Sequence, residues 1–168
     1  HWAKAAVEKM LRLGVVTGNT NGLFEPDGAV TRAQLAVMAA KLLKLELKPY
    51  SGSFDDVLEG VWFTPYIEAL SDAGVVSGDG KLFRPNDVVS RQEAAKILVG
   101  AYEMLKPNAV GTEEVSFSDS ASFDSWAVPY IQKAAACGLI NGFPDGTFRP
   151  GETMSRAQAV KVFSNFTD

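Results

Sequence analysis

The sequence predicts an all-α protein built from three copies of one helix-loop-helix unit, and three observations carry that reading. Trp2, Trp62 and Trp126 head segments in which Gly14, Gly74 and Gly138, Gly18, Gly78 and Gly142, Phe24, Phe83 and Phe148, and Pro26, Pro85 and Pro150 match in order. An internal repeat of about sixty residues is the mark of a modular array. Thr31-Arg32-Ala33-Gln34, Ser90-Arg91-Gln92-Glu93 and Ser155-Arg156-Ala157-Gln158 each set a hydroxyl three residues before Gln or Glu. That pattern is a capping box, which opens a helix. Apolar residues then follow at i, i+3 and i+4 spacing, as in Ala94, Ala95, Ile97, Leu98, Ala101 and Leu105.

The first unit covers residues 1–48. Its opening helix follows Trp2 and stops at Gly14, a C-terminal helix signal. A turn-rich loop through Asn19-Thr20-Asn21-Gly22 leads to the second helix, whose apolar run is Leu35-Ala36-Val37-Met38-Ala39. Units two (54–106) and three (117–168) repeat this order, with loops at Asp79-Gly80-Lys81 and Phe143-Pro144-Asp145-Gly146. Phe83 is expected to anchor its loop in the core, and Pro85 to fix the exit. The connectors, 46–53 and 106–116, are rich in turn formers and end in Phe54-Asp55-Asp56 and Phe117-Ser118-Asp119. These Phe-x-Asp signals read as a core plug followed by a turn or cap for a short helical turn before the Trp. The first unit lacks this piece and the chain opens on His1 without Met, so the sequence reads as a fragment of a longer precursor that begins inside its repeat.

A two-helix unit of this size cannot bury an adequate core alone. The units either stack in a row or close around a pseudo-threefold axis. A row normally shows polar capping ends, which helices of the first and third units lack, so closure is favoured.

Composition narrows the chemistry. A net charge of -4 argues against a nucleic-acid surface, and the apolar runs are too short to span a membrane. The one cysteine, Cys137, ends an apolar helix and reads as a small core residue. His1 is the only histidine, which removes Ser-His-Asp triads and histidine metal clusters. No cofactor and no metal site are expected. A calcium loop fits poorly, since Asp145-Gly146 offers one carboxylate. A glycosidase needs two carboxylates across a cleft, and among Asp55, Asp56, Asp119 and Glu152 no pair recurs with the repeat. The chain is not expected to be an enzyme. A helix-turn-helix reading fails because Asp87 and Glu93 flank the basic residue of unit two.

Arg32, Arg91 and Arg156 all occupy the first helical position, where the helix dipole disfavours a cation by about 0.3–1 kcal/mol. Such placement suits either a salt bridge to a neighbouring unit or an anion site in which helix amides and guanidinium converge on a carboxylate. Trp2, Trp62 and Trp126 read either as core residues at the helix start or as walls packing on a sugar ring.

Taken together, the Trp, the glycines, the Gly-x-Phe-x-Pro run and the Thr/Ser-Arg-x-Gln/Glu box resemble the S-layer homology module, whose recurring signature is Thr-Arg-Ala-Glu. The resemblance covers essentially the whole chain. It implies a monomeric pseudo-trimer of three modules around a central helical bundle, able to take its place in an S-layer lattice. It further implies grooves that bind a secondary cell-wall polysaccharide through a terminal pyruvylated N-acetylmannosamine, at the bacterial cell surface. By that resemblance Arg32, Arg91 and Arg156 contact the pyruvate carboxylate. Trp2, Trp62 and Trp126 and the loop residues Asn21, Gly22, Asp79, Gly80, Lys81, Asp145 and Gly146 are the expected sugar contacts, the loop residues reading otherwise as plain turn formers. Where the signature has Glu, units one and three carry Gln34 and Gln158, which is expected to leave the arginine with less neutralisation within its own helix. The competing expectation is a helical-repeat protein–protein module in which the arginines are braces between repeats.

Overall fold

A computed structural model describes residues 1–78, 80–109, 111 and 113–168. Its described residues form six α-helices and no strand: α1 (Lys4–Arg12), α2 (Arg32–Leu42), α3 (Thr64–Asp72), α4 (Arg91–Leu105), α5 (Val128–Ala136) and α6 (Arg156–Phe166). A single 3-10 turn, Ser120–Ser122, precedes α5.

The local signals act as the sequence predicts. Thr31, Ser90 and Ser155 accept the N3 amide, and Gln34, Glu93 and Gln158 accept the cap amide in return, so all three capping boxes are closed. At the other end of α1, α3 and α5, Gly14, Gly74 and Gly138 adopt φ of +70°, +73° and +66°. The next amide reaches back to the helix, as in Val75 N–H to Leu70 O at 2.9 Å, the six-to-one bond of a Schellman stop. Gly78 and Gly142 serve close approach instead. A Cβ on Gly78 would lie 2.2 Å from the Leu82 carbonyl oxygen and 2.7 Å from the Phe54 ring.

Helices pair across unit boundaries. Helix α3 packs on α2, α5 on α4, and α1 on α6, so each opening helix leans on the closing helix of the preceding unit and the last unit receives the first. Helix α2 also packs on both α4 and α6, and nine of its eleven residues are buried. The segments just before α2, α4 and α6 are laced into a ring. Val30 N–H donates to Met154 O (2.9 Å), Met154 N–H to Val89 O (3.3 Å), and Val89 N–H to Val30 O (3.0 Å). Phe83, Phe148, Phe163 and Phe166 are among the largest fully buried side chains, and Phe166 packs edge-on against Phe163 and Tyr102.

Two expectations change. Asp119 heads the 3-10 turn but makes no side-chain cap there. Its carboxylate instead accepts the Phe148 and Arg149 amides at 2.9 and 2.8 Å, and Asp56 accepts the equivalent Phe83 and Arg84 amides at 2.8 and 2.7 Å. The acid thus pins the loop, and in particular Arg84 and Arg149, which sit at φ 59° and 56° where side chains rarely go. Cys137 is half-buried rather than core. Its sulfur faces the second connector and accepts the Gly111 amide at 3.1 Å.

Candidate functional site

The first turn of each closing helix is held by the next unit. In α2, the Arg32 and Ala33 amides donate to the Asp87 and Pro85 carbonyls (both 2.9 Å). In α4, Arg91 and Gln92 donate to Glu152 and Pro150, and in α6, Arg156 and Ala157 donate to Gly28 and Pro26. The third amide belongs to the capping hydroxyl. Helix amides are therefore already satisfied, and the expected convergence of amides and guanidinium on one external carboxylate does not occur. The guanidinium is the group left to meet an anion.

Each arginine is seated in the same way. Arg32 Nε donates to the Phe83 carbonyl at 2.7 Å, with its guanidinium carbon 4.9 Å from the Phe83 ring centre. Arg91 Nε donates to Phe148 O at 2.8 Å and Nη2 to Asn141 O at 2.8 Å, between the rings of Phe148 and Phe143. Arg156 Nε donates to Phe24 O at 2.8 Å, stacked on Phe24. Arg32 and Arg91 are buried and Arg156 is half-buried. Burial lowers the affinity of Arg91 and Arg156 for their protons, against the pull of Glu152 and Asp119 on Arg91 and of Glu25 on Arg156. The brace expectation is thereby met in part, because every Nε ties one unit to the next.

Among the described residues, grooves open beside Arg32 and Arg156, and neither is lined by Arg91 or Trp2. One, of about 470 Å³, is lined by Arg32 of unit one, Ser77, Gly78, Glu93 and Lys96 of unit two, and Trp126 of unit three. The other, of about 360 Å³, is lined by Arg156 of unit three, Thr17, Asn19, Gln34 and Lys41 of unit one, and Trp62 of unit two. Each groove thus draws on all three units. The tryptophans are not core residues: Trp2, Trp62 and Trp126 are 64%, 60% and 43% exposed. The reason is their place ahead of α1, α3 and α5, where Ala3, Phe63 and Ala127 turn inward instead.

The loops contribute by their stems, not their tips. Asn21, Gly22, Gly80, Lys81, Asp145 and Gly146 do not line either groove, whereas Thr17, Gly18 and Asn19 or Ser77 and Gly78 do. The tips build turns: Gly22, Gly80 and Gly146 sit at φ +73°, +63° and +82°. Asp145 accepts the Thr147 hydroxyl and amide and the Arg149 guanidinium, which hold its carboxyl at about 2. Asp79 lies outside the described residues. Sequence reasoning missed Ser77, three residues after the Gly74 stop, Lys96, one helical turn past its capping box, and Lys41, in the last turn of α2. Lys96 Nζ donates to Ser77 Oγ at 2.5 Å and lies 5.8 Å from the Trp126 ring centre; burial and the Arg32 charge lower its pKa.

The acid of the signature also acts elsewhere than expected. Glu93 does not neutralise Arg91 in its own helix. Its Oε2 meets Arg32 Nη1 of the preceding unit at 3.2 Å, and its Oε1 meets Arg84 Nη2 at 2.9 Å. Burial raises the Glu93 pKa, but the Arg84 hydrogen bond, the Arg32 charge and the Ser90 amide outweigh it and hold the carboxyl below its usual range. Among the described residues no group of three or more His, Cys, Asp or Glu is arranged to hold a metal ion, and no helix is long and apolar enough to cross a membrane.

The S-layer homology domain model matches residues 1–36, 53–95 and 116–160. The chain is 39% identical over 165 residues to an exoglucanase XynX of Acetivibrio thermocellus, covering 96% of this chain and 15% of that protein. It is 39% identical to an amylopullulanase of Thermoanaerobacterium thermosulfurigenes, over 96% of this chain and 9% of that protein. It is 34% identical to the S-layer protein sap of Bacillus anthracis, over 98% of this chain and 20% of that protein. The chain spans a fifth or less of these relatives, so what they share with it is this region and not the whole of their activities. It belongs to the S-layer homology domain family, whose modules hold proteins at the bacterial cell surface in association with the cell wall.

Proposed function

We propose that this chain anchors the protein that carries it by binding a secondary cell-wall polysaccharide in its inter-unit grooves, through a terminal pyruvylated N-acetylmannosamine. The carrying observation is the pairing in one groove of a guanidinium already positioned by its neighbours with an exposed indole from a third unit. A ketal-linked pyruvate carries a planar carboxylate group, which a guanidinium can meet through two parallel N–H donors. The tryptophan offers an apolar face for the sugar ring, and Thr17, Asn19 or Ser77 offer polar groups for its hydroxyls and acetamido group. Because Nε is committed to the brace, the ligand engages the Nη atoms.

On this reading the chain is not itself catalytic and contributes attachment to whatever it is fused with. Several grooves on one polymer-bearing surface would add avidity to a modest single-site affinity. The second reading, a protein-binding array with the arginines as braces, draws on the Nε contacts and on the Arg32–Glu93 pair. The two separate in a pull-down on purified cell-wall sacculi with and without hydrofluoric-acid removal of the polysaccharide. Retention should be lost on removal; retention unchanged by it sinks the polysaccharide reading.

A further inference from the structure

Trp62 borders more than the Arg156 groove. A second cavity, of about 360 Å³, opens beside the same indole and is lined by Tyr50, Lys48 and Glu59, and Trp62 lines both spaces. With Trp62 60% and Tyr50 40% exposed, two aromatic rings stand open to solvent at one place on the surface.

Tyr50 belongs to the first connector, which reads in the sequence as a turn-rich link and in the structure is fastened to α3. Glu68, buried in α3, accepts the Ser51 amide at 3.1 Å and the Ser53 amide and hydroxyl at 2.9 and 3.1 Å. The Tyr50 hydroxyl donates to the Val57 carbonyl at 3.1 Å, which fixes the ring beside the cavity. A ring held in place before a ligand arrives loses little freedom on binding it. In unit three, Gln132 ties down the second connector in the same way, bonding the Val115 amide and carbonyl at 3.0 and 2.8 Å. Residues 106–116 contain no aromatic residue, so the connector ahead of Trp126 has no ring to offer the Arg32 groove.

The lining decides what the cavity can take. Lys48 and Glu59 are exposed, and among the described residues neither has an oppositely charged group within 4 Å. Their charges cancel, and together they offer donors and acceptors to hydroxyl groups. Two aromatic faces with such a rim suit an uncharged sugar ring, apolar on its face and polar at its edge. The other space adjoining the Arg156 groove, of about 500 Å³, shares Val15 and Lys41 with it. Lys9, Arg12 and Lys44 line that space with leucines and no aromatic ring, so it suits an anion and not a neutral sugar.

We propose that the cavity lined by Tyr50 and Trp62 is a second sugar subsite, which takes an uncharged sugar behind the terminal one as the polymer leaves the Arg156 groove past Trp62. The inference rests on the anchoring reading above and makes the Arg156 groove the one that senses polymer length.

The test is calorimetric titration of the intact chain with two probes: pyruvylated N-acetylmannosamine alone, and single polysaccharide chains freed from peptidoglycan with that terminal sugar in place. Wild type should bind the polysaccharide about tenfold tighter than the monosaccharide at one site. Tyr50→Ala should abolish this gain and leave the monosaccharide affinity unchanged, while Tyr50→Phe, which keeps the ring, should retain most of it. Lys48→Ala and Glu59→Ala should each remove part of the gain. Melting curves establish that each variant is folded. Equal wild-type affinity for the two probes overturns this inference alone, as does a gain that survives Tyr50→Ala or both rim variants. A gain lost in Arg12→Ala or Lys44→Ala but not in Tyr50→Ala also overturns it, since the polymer then crosses the basic space. Absence of binding by either probe overturns the anchoring reading and this inference with it.

Discussion

An arginine at the first position of α2, α4 or α6 meets the positive end of a helix, and the surrounding contacts show how that cost of about 0.3–1 kcal/mol is offset. A charged hydrogen bond to a neighbour's carbonyl and stacking on a phenylalanine each contribute on the order of 1 kcal/mol. Arg32 gains a further partner in Glu93. Because the Glu93 carboxyl is held below its usual range, its contribution is present above the ordinary carboxylate range and is lost as pH falls through the lowered value. Glu93→Gln is thus expected to lower stability by about 1–2 kcal/mol at neutral pH. Thermal melts of the two proteins should converge as the pH is taken well below the usual glutamate range. The exposed tryptophans make the opposite case. Trp62→Ala and Trp126→Ala should leave stability within about 0.5 kcal/mol of wild type, as substitutions away from buried features do, while weakening retention on sacculi. A large loss of stability in denaturant titrations would return them to a structural role.

Capping boxes and glycine stops were legible in the sequence because they are local: a hydroxyl, an acid or amide three residues on, and a residue tolerant of positive φ suffice. The roles of Asp56 and Asp119 were not, since their partners lie across the unit in a loop with its own strain. There the carboxylate satisfies two adjacent amides, one of them on Arg84 or Arg149 in the left-handed region. Asp56→Ala should cost about 3 kcal/mol, from two charged hydrogen bonds lost at about 1.5 kcal/mol each, and urea denaturation would measure it. Phe24 is half-buried, whereas Phe83 packs on Phe54 and Phe148 on Phe117 and both are fully buried. Glu68 does for the first connector what Asp56 does for the loop, accepting the Ser51 and Ser53 amides at 3.1 and 2.9 Å.

Across the whole molecule, the pairing of α1 with α6, α3 with α2 and α5 with α4 leaves no unit with a core of its own. Heat should therefore unfold the chain in one step, with calorimetric and van't Hoff enthalpies equal; separate transitions would contradict the interlock. This exchange of helices was not legible, because an apolar face declares that it will be buried but not by which neighbour. Nor was the reach of Glu93 to Arg32, or the mixing of three units in each groove, for which Arg156, Gln34 and Trp62 had to be brought together from three repeats. The repeat register and the arginine positions, by contrast, were read correctly as positions, and the structure supplied their partners. The central claim is that these grooves recognise the charge of a pyruvylated sugar. Paired calorimetric titrations of the intact chain with pyruvylated N-acetylmannosamine and with the same sugar lacking pyruvate test it most directly. Saturable binding of the first and none of the second is the expected result; equal binding of both, or of neither, would contradict the account.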